Sequence, residues 1–290
     1  MDKTKIDWAD ATWNPVTGCL HGCEYCYARG IAKRFCSNEH GHDTGAMAPC
    51  TGDCQSCSEL DGHEFVGELT RYNHNQSAAY PYGFMPTFHP HRLDQPIRWT
   101  KPRTIFVCSM ADLFGNWVPD EWIEEVINAC LAAPQHRYLF LTKNPARYMH
   151  LIGKGIIPED QQNFWLGSTA TVPETEFFWH DTVNTFLSIE PILAPFKDLS
   201  DKGQQPACYV DWIIVGAETG NRKGKIVPEK SWIMELVRSA NLAGTPIFMK
   251  ESLRPIMGDD FVQRFPWCDT HMDATDNNVG HKDGGAEDEQ

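Results

Sequence analysis

Three cysteines near the start of the chain are spaced so that their side chains can bind one metal centre. They are Cys19, Cys23 and Cys26 in the segment GCLHGCEYCYA, which has C-x3-C-x2-C spacing. Thiolates are soft ligands that favour iron–sulfur clusters or zinc. A four-iron cluster with three protein ligands leaves one iron open for chemistry. Zinc would take a fourth ligand, for which His21 and Cys36 are candidates.

A second group of cysteines repeats this spacing further along the chain. Cys50, Cys54 and Cys57 again form C-x3-C-x2-C, and Cys36 adds a fourth thiol. Four thiols suffice for a closed structural zinc site or for an auxiliary [4Fe–4S] cluster. The substitute ligands in this segment are histidines, namely His40, His42 and His63. The sequence therefore predicts a second metal site and leaves its metal open, with a metal-free loop as the alternative.

Composition divides the chain into a body, an insert and a tail. Residues 36–80 and 269–290 each hold seven acidic residues and one basic residue, which accounts for most of the net charge of −14. We expect one domain over residues 1–268, with residues 36–80 as a cysteine- and histidine-rich insert stabilised by metal. Residues 269–290 are expected to be a disordered acidic tail. The nearly neutral body argues against non-specific coating of DNA.

The opening segment MDKTKIDWADATW has no apolar signal region, and no apolar run reaches membrane-spanning length. We therefore expect a cytoplasmic protein without a membrane partner. In that compartment, cysteines are better interpreted as metal ligands than as disulfides.

Short apolar runs alternate with helical patterns and predict a parallel sheet. The runs are Thr104–Ser109, Tyr138–Thr142, Phe164–Ser168, Thr185–Glu190, Trp212–Glu218 and Pro246–Lys250. Their nearly continuous hydrophobicity is typical of strands covered on both faces. Helices are predicted from Pro119 and from Pro228 to Ala243, where Gly244 is a stop signal. The pattern predicts an α/β fold, either a barrel or a doubly wound sheet.

The first cysteine group resembles the signature of the radical S-adenosylmethionine (SAM) superfamily, in which C-x3-C-x-aromatic-C precedes a helix and Tyr25 holds the aromatic position. Most of the chain is similar to one branch of it, a phage-associated family of unknown function distantly similar to spore photoproduct lyase. The matching segments are IDWADATWNPVTGC, CEYCYA, RLDQPIRW, IFVCSMADLFGNWVPD, APQHRYLFLTKNPAR, WLGSTA, LSIEPILAPF and IIVGAETG. The resemblance implies a partial or complete (β/α) barrel with a [4Fe–4S] cluster and SAM. Such enzymes cleave SAM reductively to a 5′-deoxyadenosyl radical.

The resemblance also implies where SAM would bind. The superfamily contacts the SAM amino group after its second strand, often through a GGE motif, and this chain has Ser109 and Asp112 there instead. Because ligands gather at the carboxyl ends of barrel strands, Ser168 and Glu190 are further candidates for cofactor binding. Tyr25, the aromatic residue of the cysteine motif, is another. Lys143 and Glu218 also follow strands. Each carboxylate has a structural alternative, as a turn cap or as half of a buried ion pair.

In the sequence, only the positions of the basic residues indicate a class of substrate. Basic residues follow the cysteine loop and several strands, and together they would suit a phosphate-bearing molecule. Examples are Arg29, Lys33, Arg34, Arg222 and Lys250. We therefore hypothesise modification or repair of a nucleic acid or nucleotide, with a reductant of flavodoxin or ferredoxin type as partner. A peptide or small metabolite is an alternative substrate. A non-catalytic zinc-binding interaction protein is the alternative from another class.

Overall fold

The computed structural model describes residues 4–35, 80, 83–196, 206–220 and 222–267. Its strands are β1 (Ala11–Trp13), β2 (Val16–Thr17), β3 (Thr87–Phe88), β4 (Thr104–Val107), β5 (Arg137–Thr142), β6 (Phe164–Thr169), β7 (Asn184–Ile189), β8 (Trp212–Val215) and β9 (Ile247–Met249). Seven of them form one sheet in the order β1-β4-β5-β6-β7-β8-β9, and each neighbouring pair is parallel. Strands β2 and β3 form a separate antiparallel pair. The predicted α/β class is confirmed.

Helices lie between the strands and cover one face of the sheet. They are α1 (Tyr27–Phe35), α2 (Gln95–Arg98), α3 (Asp120–Leu131), α4 (Ala146–Gly153), α5 (Lys230–Ala243) and α6 (Arg254–Met257). Helix α3 begins after Pro119, as predicted, and buries Trp122, Ile123 and Val126. Helix α5 ends at Gly244, whose φ of 74° lies in the left-handed region that glycine adopts without strain. Both helices pack on residues that point outward from the sheet.

The sheet is curled, as the distances from Trp8 to two of its strands show. The Trp8 ring centroid lies 4.6 Å from that of Phe106 on β4 and 6.4 Å from that of Trp212 on β8. Three strands lie between β4 and β8. In a flat sheet, β4 and β8 would therefore be roughly 19 Å apart. One indole can contact both strands only because the sheet wraps around it. The sheet is therefore an open half-barrel, the partial (β/α) barrel that was predicted.

The segments at either end of the described chain fill the concave face of the half-barrel. Trp8 enters from the amino-terminal side, and the Asp7 carboxylate accepts a hydrogen bond of 2.9 Å from the Glu251 amide beyond β9. From the carboxyl-terminal side, Phe265 and Trp267 pack against Trp212 with centroid distances of 5.8 and 5.1 Å. These aromatic rings close the floor of the half-barrel and leave its opposite end accessible.

No helix in the described part of the chain is both long and apolar enough to cross a membrane.

Candidate functional site

A cavity of about 280 Å³ opens at the carboxyl ends of the parallel strands. Side chains from the cysteine loop, from the strand ends and from the segment around Trp8 line it. Of the residues singled out from the sequence, it brings together Cys19, Cys23, Cys26, Tyr25, Ser109, Asp112, Lys143, Glu190, Glu218 and Lys250. This is the end of a (β/α) sheet at which ligands bind.

The cysteine loop is fixed at both of its ends by backbone contacts. At its start, the Gly18 amide donates to the Met110 carbonyl at 2.9 Å, and the Cys19 amide donates to the Phe84 carbonyl at 3.1 Å. At its end, Cys26 immediately precedes helix α1, and the Arg29 amide donates to the Cys26 sulfur at 3.4 Å. Amide donors of this kind stabilise a thiolate.

Gly18 is required at the start of this loop for two reasons. Its φ of +86° lies in the left-handed region, and a Cβ built there would come within 2.1 Å of the Met85 carbonyl oxygen. Gly22, inside the same loop, has a φ of +69° and nothing within 4 Å of its Cβ position. The first glycine therefore provides both backbone freedom and space, and the second provides only backbone freedom.

The surroundings of Cys19 favour the protonated form of its thiol. Burial, followed by the charges of Asp112, Cys23 and Cys26, raises the pKa of Cys19 to about 12, although a hydrogen bond from the His21 amide opposes this rise. A thiolate there therefore needs a cation to replace its proton. Among the described residues, no three His, Cys, Asp or Glu side chains are grouped as ligands of one metal ion. All three thiols of the loop nevertheless border the same cavity.

Asp112 is a centre of hydrogen bonds beneath the cysteine loop. It is 5% exposed, and its carboxylate accepts from the Phe114 amide at 3.0 Å, the Thr142 hydroxyl at 2.7 Å and the Lys143 amide at 2.9 Å. Its fourth contact is His21 Nε2 at 2.7 Å. These contacts fill the acceptor positions of a carboxylate. The predicted contact with a SAM ammonium group would therefore have to displace His21.

Ser109 and Tyr25 lie on either side of the loop. The Ser109 hydroxyl contacts Asn14 Oδ1 at 3.2 Å, and the Ser109 carbonyl accepts from the Tyr27 hydroxyl at 2.8 Å. Burial and the neighbouring Cys23 raise the pKa of Tyr25 to about 12, so this hydroxyl stays protonated at neutral pH. The Lys143 ammonium lies 5.9 Å from the centre of the Tyr25 ring. No acidic partner for Lys143 is present in the described ranges.

Two predicted carboxylates are paired with cations. Glu190 forms an ion pair with Lys250, which follows the last strand. Glu218 accepts from Arg222 through both oxygens, at 2.6 and 2.8 Å, and these bonds hold the pKa of Glu218 below its usual range. Arg222 also approaches Glu24 of the cysteine loop at 3.4 Å. Arg222 thus connects the end of β8 to the loop.

Ser168 does not line the cavity. Its side chain is fully buried on the helix-covered face of β6, where its hydroxyl accepts from the Phe178 amide at 2.8 Å. Side chains alternate between the faces of a strand, so the next residue, Thr169, lies at the cavity instead. Ser188, paired with Thr169 in the sheet register, lies beside it. The prediction for Ser168 was one residue out of phase.

The amino-terminal segment contributes to the cavity, which the sequence did not predict. Lys5, Ile6 and Trp8 line the cavity although they precede the first strand. No local pattern marks them, because their position depends on the curl of strands far along the chain. His21 was considered only as a zinc ligand, and its contact with Asp112 spans 91 residues. No alternation of polar and apolar residues marks Thr169 and Ser188, because β6 and β7 are buried on both faces.

The predicted second metal site lies outside the described residues. This applies to Cys36, Cys50, Cys54 and Cys57, and to the acidic tail from residue 269. Both remain predictions.

An open parallel half-barrel with a cavity at its strand ends defines an α/β protein of the partial-barrel class. The chain belongs to the family DUF5131, described as a protein of unknown function, whose model matches residues 3–256. None of the curated proteins matches the sequence. Among solved structures, a spore photoproduct lyase mutant is similar, with 12% identity over 86% of this chain and 81% of that chain, and a TM-score of 0.42. The fold assignment rests on the strand order and register described above.

Proposed function

We propose that this protein is a radical SAM enzyme in which Cys19, Cys23 and Cys26 hold a [4Fe–4S] cluster. The observation that carries the proposal is that all three thiols of one C-x3-C-x2-C loop line the cavity at the carboxyl ends of a parallel half-barrel. When bound, the cluster and SAM supply a one-electron cleavage that yields methionine and a 5′-deoxyadenosyl radical. The chain itself binds, orients and shields both groups.

The residues around the loop would perform that orientation. Asp112 holds His21, and thereby the stretch of loop between Cys19 and Cys23, against the strand ends. Lys143 presents an ammonium without an acidic partner among the described residues, which suits the carboxylate of SAM. Ser109 remains our candidate for the SAM amino group, together with Asp112 if His21 moves. Glu190, engaged by Lys250, is a candidate for ribose hydroxyls.

We extend the proposal to a nucleotide or nucleic-acid substrate. Three lysines line the cavity, and lysine side chains suit phosphate oxygens. Lys250 is engaged by Glu190, so Lys5 and Lys143 are the two that have no acidic partner among the described residues. Arg222 contributes less, because Glu218 neutralises it. The electron would come from a flavodoxin- or ferredoxin-type reductant.

Anaerobic reconstitution with iron and sulfide tests the cluster. The variant Cys19→Ala/Cys23→Ala/Cys26→Ala should hold about four fewer irons per chain than the wild type and should form no 5′-deoxyadenosine from SAM and dithionite. Cys208→Ser is the control, because Cys208 is exposed and does not line the cavity. A triple variant with wild-type iron and wild-type SAM cleavage would sink the proposal. Iron or zinc that remains bound to the triple variant would indicate that the predicted metal site in the insert exists.

A further inference from the structure

Two buried polar atoms at the cavity have no hydrogen-bond partner within the described part of the chain. They are the Ser188 hydroxyl oxygen, in a residue 1% exposed, and the Trp8 indole nitrogen, in a residue 3% exposed. Both residues line the cavity. A buried polar group that is left unpaired lowers the stability of the fold. Among the described residues, neither group takes part in a hydrogen bond of the fold.

Comparable groups elsewhere are satisfied within the fold. The Ser168 hydroxyl, on the strand next to Ser188, accepts from the Phe178 amide. The indoles of Trp13 and Trp212 donate to the carbonyls of Arg92 and Arg264 at 2.8 and 3.0 Å. The Trp117 indole is unpaired as well, but Trp117 does not line the cavity. What sets Ser188 and Trp8 apart is that both lack a partner and both border the same space.

The two groups are neighbours on the concave face. The centroid of the Trp8 ring lies 6.3 Å from that of Phe186. Ser188 follows Phe186 by two residues on the same face of β7, one step closer to the carboxyl end. Phe106, Leu141 and Ala217 provide apolar surface around them. A ligand at this position would meet apolar walls and the two unpaired polar groups.

We infer that Trp8 and Ser188 bind the polar edge of a nucleobase. An indole N–H only donates, so the ligand must offer an acceptor, and a hydroxyl can pair with either an acceptor or a donor. A ring nitrogen beside an amino or carbonyl group meets both requirements, and a flat uncharged ring suits the apolar walls. The choice of a nucleotide ligand rests on the proposed function, although the site itself does not require the cluster. The base could come from SAM or from the substrate.

Binding of free nucleosides to the full-length protein tests this inference. The probes are adenosine, guanosine, cytidine and thymidine, measured by calorimetry with and without saturating SAM. Ser188→Ala should weaken binding of the best probe about 3- to 10-fold, the effect of losing one neutral hydrogen bond. Without ligand, the same variant should unfold at an unchanged or higher temperature, because it removes an unpaired hydroxyl. Trp8→Phe should weaken binding similarly.

Matched controls separate recognition from folding. Ser168→Ala should lower the unfolding temperature and leave nucleoside affinity unchanged, because its hydroxyl serves the Phe178 amide. Trp117→Phe should leave the affinity unchanged, because this unpaired indole is not among the residues that line the cavity. Probe binding that SAM abolishes assigns the position to the cofactor's base, and binding that persists assigns it to the substrate's base.

The inference is overturned if no nucleoside binds the wild type, or if Ser188→Ala behaves as Ser168→Ala does. Its failure is distinguishable from that of the proposed function. A protein that loads iron and cleaves SAM but binds no nucleoside contradicts only the base site. A protein that binds nucleosides through Ser188 but loads no iron contradicts only the radical SAM assignment.

Discussion

At Gly18 the chain enters the cysteine loop through a gap that admits no side chain. Alanine there would add left-handed strain of about 1 kcal/mol or more and a clash with the Met85 carbonyl. Gly22→Ala would add only the strain, since its Cβ position is open. We therefore expect Gly18→Ala to lower the free energy of unfolding by at least about 1 kcal/mol more than Gly22→Ala does.

Urea unfolding of both variants measures this difference, and iron bound per chain after reconstitution shows whether the loop has moved. Gly18→Ala should bind less iron than Gly22→Ala, because the new Cβ would also lie 2.7 Å from the Phe84 carbonyl oxygen, which accepts from the Cys19 amide. Equal losses of stability and of iron in the two variants would mean that the close approach to Met85 is unimportant.

Among the elements, the antiparallel pair β2 and β3 makes stability depend on pH through His89, which follows β3. His89 is buried, contacts the Thr17 hydroxyl at 2.9 Å and lies beside Arg92 and His91. Burial, with the charges of those two neighbours, lowers the pKa of His89 to about 3. As the pH falls below about 6.5, the unfolded chain takes up a proton that the folded chain refuses. Stability should therefore fall between pH 6.5 and 3, by up to about 1.4 kcal/mol per pH unit.

Urea unfolding between pH 7 and pH 4 tests this dependence. His89→Gln should flatten the slope, because glutamine keeps a polar group near Thr17 but does not titrate. His150→Gln is the control, since the His150 side chain is 49% exposed on α4. An unchanged slope in His89→Gln would assign the acid sensitivity to other groups.

Strands and helices were predicted well from the local sequence where their own residues carry the signal. The strands β4 to β9 were predicted because each is a continuous apolar run, and α3 and α5 because proline and glycine mark their ends. Strand β1 was not predicted, because the three residues Ala11–Trp13 are too few to show a hydrophobic pattern. Ser168 was misplaced because a fully buried strand shows no alternation. Trp8 and the His21–Asp112 contact depend on long-range closure, which no local pattern encodes.

Across the whole molecule, Trp212 joins the two end segments to the sheet. It is fully buried, packs against Trp8 and Trp267, and donates its indole N–H to the Arg264 carbonyl. Trp212→Phe leaves that carbonyl unpaired and opens a void, so we expect a loss of about 2–3 kcal/mol in unfolding free energy. Amide exchange should also accelerate near Trp8 and Trp267.

Trp179→Phe provides the comparison, because Trp179 is 50% exposed. This substitution should change the free energy of unfolding by less than about 0.5 kcal/mol. If Trp212→Phe cost no more than Trp179→Phe, the two end segments would be held by their other contacts alone.

The order of elements along the chain has a consequence for biosynthesis. The cysteine loop ends at Cys26, whereas the last wall of the cavity, β9, ends at Met249. During translation the thiols leave the ribosome roughly 10 to 45 seconds before the residues that enclose them, at about 5–20 residues per second. Throughout that interval they are exposed to oxidants and to competing metals. In the finished fold the three thiols line the cavity at the carboxyl ends of the strands, so the proposed cluster would have to be inserted there.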